Sequence, residues 1–95
     1  MSFTRKSNTV STVTQSNEVS MADMNLGKAS LSIVVTGTIT ATLQFTLGDD
    51  VWFDHDVLVD ITANTVSNIV LPVAAIRLNV TAESTGTAYL QAVGV

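Results

Sequence analysis

Cysteine is absent from this sequence, which excludes a disulfide framework, Cys-ligated zinc or iron–sulfur sites and thiol catalysis. Charge is scarce: 13 % of residues are charged, about half the usual share of roughly 25 %. Four are Lys or Arg against eight Asp or Glu, a formal net charge of −4. Nucleic-acid binding displaces phosphate counterions with clustered positive charge, so nucleic acid is not an expected partner. Aromatics are 5 %, which leaves an aliphatic core. The longest apolar run, Ile69 to Ile76, is eight residues and contains the single proline, Pro72. A spanning helix needs ~20 apolar residues, so no membrane span is expected. No apolar stretch follows Arg5 and Lys6 either, which argues against a secretory leader.

What is present is β-branching. Fourteen Val, fourteen Thr and five Ile make 33 of the 95 residues. Such side chains are stiff at χ1 and suit the pleated surface of a sheet. Glu and Lys each occur twice, and no segment carries a sustained helical stripe. The chain reads as one all-β domain.

Its organisation changes near Gly27. Residues 1–26 are rich in Ser, Thr and Asn, and Val10 and Val13, three apart, cannot share a strand face. This stretch reads as an N-terminal arm or a peripheral strand, with weak apolar footing at Val19-Ser20-Met21. Extended, it would reach on the order of 85 Å. Residues 27–95 form the expected β-sandwich domain. Leu31, Ile33 and Val35 alternate with Ser30, Ser32 and Val34, and Thr36-Gly37-Thr38 reads as a tight hairpin. Ile39, Ala41, Leu43, Phe45 and Leu47 then alternate with Thr40, Thr42, Gln44 and Thr46, the signature of a half-buried antiparallel strand.

Gly48-Asp49-Asp50 makes a turn into Val51-Trp52-Phe53, and Val57, Val59 and Ile61 resume the alternation. Pro72 ends the next strand or confines it to an edge. Residues 74–81 and 87–93 complete the pattern across a turn at Glu83-Ser84-Thr85-Gly86. About seven or eight strands at this spacing indicate a single antiparallel β-sandwich or jelly roll. Thr-Gly-Thr occurs at both 36–38 and 85–87, too short a match to mark an internal repeat.

Ionisable groups concentrate at Asp49, Asp50, Asp54, His55, Asp56 and Asp60. On a strand, Asp54 and Asp56 share a face and His55 points the other way, a poor arrangement for catalysis. No Gly-x-Ser-x-Gly turn surrounds a serine, so the chain is not expected to be an enzyme. Asp54 and Asp56 are weak calcium candidates, since hard cations want several carboxylate and carbonyl oxygens. Their spacing departs from the EF-hand loop, and aspartates in Asx-turns account better for the cluster, so no metal or cofactor is assigned. Trp52 and Phe53 face opposite sides of a strand, so an exposed Trp52 would mark a contact surface. Thr38, Thr40, Thr42, Gln44 and Thr46 form a polar, uncharged, β-prone row of the kind that invites pairing with another chain. With Arg5 and Lys6, which would grip a negative surface, these are the candidate partner-binding residues.

The run from Thr36 through Gln44 and Gly48-Asp49-Asp50 to Trp52-Phe53-Asp54 resembles a pattern in small virion proteins of tailed bacteriophages. Residues 75–81, followed by Ser84-Thr85-Gly86-Thr87, are similar to a closing hairpin of that group. The resemblance covers residues 30–93. It implies a compact β-sandwich, often a homotrimer, mounted on the outer capsid surface as a cement or decoration protein bound to the major capsid protein. Related modules serve in tails, collars, fibres and baseplates. Among the residues themselves, a carbohydrate-binding β-sandwich using Trp52, Asp54 and Asp56 stands as the alternative.

Overall fold

The computed structural model describes residues 4–10, 19–21, 27–70 and 73–94. Among them there is no helix, and six strands form: β1 (Thr4–Val10), β2 (Val19–Ser20), β3 (Lys28–Thr46), β4 (Trp52–Asp54), β5 (Thr65–Val70) and β6 (Ala75–Gly94). All pair antiparallel within one sheet in the order β1-β6-β3-β4, with β2 also beside β6 and β5 also beside β3. The protein is therefore all-β. Its hydrogen bonds run through one connected sheet, so they do not by themselves delineate the two layers of a sandwich or jelly roll.

Six strands replace the expected seven or eight because two anticipated hairpins do not form. The chain continues through Thr36-Gly37-Thr38 as β3 and through residues 83–86 as β6. A tight hairpin pairs the strands on either side of its own turn. Here each Thr-Gly-Thr pairs with the other instead: Thr36 with Thr87, Gly37 with Gly86, Thr38 with Thr85. Both glycines have positive φ, 81° and 130°, where a β-carbon is disfavoured. A β-carbon at Gly86 would also drive into the Thr36 carbonyl oxygen. Just beyond, the register shifts between Thr38 and Ile39 and again between Thr40 and Ala41. Bulges of this kind bend a strand and increase its twist.

The bend is required by length. Nineteen residues of straight strand span about 60 Å, yet the longest dimension of the molecule is 40 Å. Ile69, which pairs with Ala29 near the start of β3, lines the same pocket as Phe45 near its end. The two ends of the ladder thus approach each other, and the apolar face closes on itself. Leu31, Ile33 and Leu43 of β3 and Ile76, Leu78 and Leu90 of β6 are buried in one cluster. The residues of the apolar core cluster are odd-numbered on β3 and even-numbered on β6, as the period of two requires for one shared face. Leu47, expected at the end of this stripe, lies past β3 and is exposed.

Of the two readings of residues 1–26, the described part takes the peripheral strand. Thr4–Val10 runs along Gly94–Ala88 as an outer strand, and Met21 N–H donates to the Ala74 carbonyl at 2.9 Å. Val19 and Met21, two apart and therefore on one face, both enter the core. The rest of that stretch and Pro72 lie outside the described residues. The Val57–Ile61 alternation makes no strand. Val57 and Val59 are exposed, Leu58 is buried between them, and Ile61 makes only an isolated bridge to Ala41.

The glycine pair carries a test. Gly86→Ala is expected to lose about 2 kcal/mol or more in denaturant unfolding, because strain and collision act together. A loss under about 0.5 kcal/mol would show that the bend does not need this backbone shape.

Candidate functional site

Candidate side chains gather on two surfaces near the β3–β4 junction. On the face turned away from the core, register sets Asp54 of β4, Gln44 of β3 and Arg77 of β6 in one row. Arg77 Nε donates to Gln44 Oε1 at 2.8 Å, and Gln44 Nε2 donates to Asp54 Oδ1 at 2.8 Å. The Arg77 guanidinium also stacks on the Trp52 ring, 4.0 Å from its centroid. A planar cation over indole is attracted by the ring quadrupole, about 0.5–1 kcal/mol at an exposed site. Trp52 is half-buried beneath it.

The Thr38–Thr46 row is consequently not a free edge. β3 has β6 along one side, while its other side is paired by β5, Ile61 and β4 in turn. Between them Leu43 N–H donates to the Leu58 carbonyl at 2.8 Å, and Val35 N–H donates to Asn64 Oδ1 at 2.9 Å. Thr42 is 5 % exposed, and its Oγ1 accepts from Asp60 N–H at 3.1 Å. Gln44 belongs to the polar row, and Thr40 is half-buried. Of the candidates on this strand, Thr38 alone is exposed. Arg5 and Lys6 lie on β1 opposite Val93 and Ala92, away from this region in sheet order.

The acidic segment divides into two kinds of residue. Asp50 and Asp60 hold φ of 61° and 50°, left-handed positions that Asp tolerates better than most residues. Asp49 Oδ1 accepts from Val51 N–H at 3.4 Å, closing an Asx-turn. These three shape turns. Asp54, His55 and Asp56 instead line one pocket of about 370 Å³ with Phe45, Ile69 and Val73. Opposite strand faces would have separated them, but β4 ends at Asp54 and the alternation lapses there. The cleft itself was not foreseeable from the sequence, because it forms between chain segments about 25 residues apart.

His55 organises the wall of that pocket. Its Nδ1 accepts from Val57 N–H at 3.1 Å and from Leu58 N–H at 3.0 Å. One ring nitrogen thus fastens two successive backbone amides. Asp56 Oδ1 lies 3.4 Å from the same Nδ1, on a carboxylate that is 90 % exposed. Capture of both N–H groups by a side chain also explains why no strand follows. Among the described residues, no group of three or more His, Cys, Asp or Glu is arranged to hold a metal ion, so Asp54 and Asp56 stand as a pair.

Gln44→Ala breaks both bonds of the polar row and is expected to cost about 1–2 kcal/mol in denaturant unfolding. Thr38→Ala should stay within about 0.5 kcal/mol. Equal effects would remove any special role for the row. For the loop, His55→Ala should accelerate amide exchange at Val57 and Leu58 while leaving core amides of β3 unchanged. Unaltered exchange there would contradict the imidazole's fastening role.

The chain matches no protein-family model, no curated protein and no solved structure.

Proposed function

We propose that this chain is a structural subunit of a virion, a cement or decoration protein that performs no reaction of its own. One observation carries the reading: Leu47, Val51, Phe53, Val57 and Val59 are 40–71 % exposed, all within thirteen consecutive residues. Monomers rarely leave large apolar groups gathered in this way unless they meet a partner. The low charge elsewhere and the resemblance over residues 30–93 support the same reading. Phe53 is the natural anchor, because its ring is backed by Phe45 at 5.8 Å and thus already positioned.

In this proposal the bent sheet forms the two layers of a β-sandwich, with β3 and β6 passing from one layer to the other. Three copies associate on the outer capsid surface and bind the major capsid protein across capsomer junctions. Binding the assembled shell and not its separated parts stabilises the shell by mass action. Trimerisation multiplies weak contacts through effective concentration. Arg5 and Lys6 occupy an edge strand, a position suited to contacting a neighbour. A place in a tail, collar or baseplate would draw on the same surfaces. The carbohydrate-binding alternative has less support, since Trp52 lies under Arg77 and is not among the residues lining the pocket.

Sedimentation analysis and shell binding test this directly. The wild-type chain is expected to sediment at three times its 10.0 kDa and to co-sediment with capsid shells of the encoding virus. Phe53→Asp combined with Val57→Asp should abolish both while preserving the β-type circular dichroism. A wild-type monomer that ignores those shells would overturn the proposal.

A further inference from the structure

We infer that β5 of one copy of this chain pairs antiparallel with β1 of a second copy, so that copies join edge to edge into one continuous sheet. The inference deepens the three-copy assembly proposed above and rests on it. A closed ring of three uses two different surfaces on every copy, one for each neighbour.

Both edges are on the molecule, and at the same level. Arg5 pairs with Val93, Val93 with Ser30, and Ser30 with Asn68. The next rows join Lys6 to Ser67, Ser7 to Val66 and Asn8 to Thr65 through β6 and β3 in the same way. β1 and β5 are therefore the two flanks of one half of the ladder. Among the described residues no strand pairs with the outer side of either. Every step between them is antiparallel, so β1 and β5 run in opposite directions. Rotating a copy about an axis along the strands brings its β1 beside the β5 of the next copy, antiparallel and without sliding. Ser7 then stands opposite Val66.

The edges differ in how they are guarded. Proteins blunt an exposed edge with charge, proline, a bulge or a very short strand. β4 is three residues long and ends in Asp54, and β1 carries Arg5 and Lys6. β5 has no such device: Thr65–Val70 is six residues, uncharged, and in unbroken register with β3. Val66 pairs with Ser32 on the face turned from the core and is 82 % exposed, more than any other large apolar side chain described as exposed. A strand added to β5 would take up its open backbone groups and cover Val66. The charges of β1 oppose pairing of β1 with itself, whereas β5 meets them with a neutral strand. β5 also borders the apolar cluster at the end of β4, since Ile69 shares a pocket with Asp54 and Asp56. One neighbour can therefore cover both.

Disulfide trapping tests the contact, because the chain has no cysteine of its own. Ser7→Cys and Val66→Cys chains, carrying different tags, are mixed, allowed to exchange and mildly oxidised. A bond between the two substituted positions is expected as the main product. It cannot form within one chain, where three strand spacings hold these positions about 14 Å apart, beyond the ~6.8 Å that a disulfide spans between Cα atoms. A predominance of Val66→Cys chains bonded to each other would show two-fold pairing of β5 and overturn the inference. So would a yield no higher than that of Thr38→Cys, at an exposed position on β3, mixed with Val66→Cys. As a second measurement, Val66→Lys places a guard at a site already open to water. It should sediment as the 10.0 kDa monomer with unchanged circular dichroism, and a persisting trimer would also overturn the inference. Wild-type trimers that bind shells yet give no such bond refute the edge pairing alone. The bond in a chain that ignores shells refutes the virion role alone.

Discussion

An apolar sheet face has to be removed from water, and the usual means is a helix or a second sheet laid against it. Among the described residues this chain has no helix, and its strands share one hydrogen-bonded network. The cover therefore comes from the sheet itself. β3 and β6 are long enough that, bent at mid-length, residues from both halves of the ladder join one buried cluster. Leu31 and Leu43, twelve positions apart on one strand, consequently belong to a single buried cluster. Every other feature follows from that bend: it sets the outer face, brings the strand ends together and forms the pocket where they meet.

Local chemistry makes the bend compatible with continuous pairing. Opposed Gly37 and Gly86 let the two backbones approach where a β-carbon on Gly86 would collide, and the nearby bulges add the turn of direction. On the convex side, polar residues stitch neighbouring strands together through the Arg77–Gln44–Asp54 row. Where ladder pairing stops, side chains take over the backbone: Asn64 receives the N–H of Val35, and His55 receives those of Val57 and Leu58. Each substitution of side chain for strand leaves a loop, and the loop after β4 carries the exposed Val57 and Val59 and the pocket-lining His55 and Asp56.

The sequence discloses the fold class and the core stripe well, because both depend on local periodicity. Leu31, Ile33, Ile39, Ala41 and Leu43 are buried as their alternation requires. It discloses pairing poorly. Thr-Gly-Thr at 36–38 carries every local mark of a hairpin, and only the partner at 85–87 turns it into a cross-strand contact. The recurrence was the visible signal, since two identical glycine-centred triplets can face each other across a ladder. Val57, Val59 and Ile61 mislead for the opposite reason: their alternation is genuine, but a single imidazole diverts the backbone first. The row from Asp54 to Arg77 and the pocket at Asp54–Asp56 both depend on register between distant segments, which periodicity does not encode. Thr42 and Gln44 are engaged within the fold and not displayed at an edge.

The surface proposed for assembly lies beside the pocket that Phe45 and Ile69 line from the two ends of the ladder, so the bend is the claim to test first. The chain has no cysteine of its own, which allows spin labels to be placed cleanly. Lys28→Cys and Leu47→Cys put labels at the two ends of β3, both at exposed positions. Labelled chain diluted into unlabelled chain then reports only the intramolecular distance by pulsed electron–electron resonance. The account requires a distance within the 40 Å length of the molecule. A distribution centred near about 60 Å, the span of an unbent strand, would contradict it.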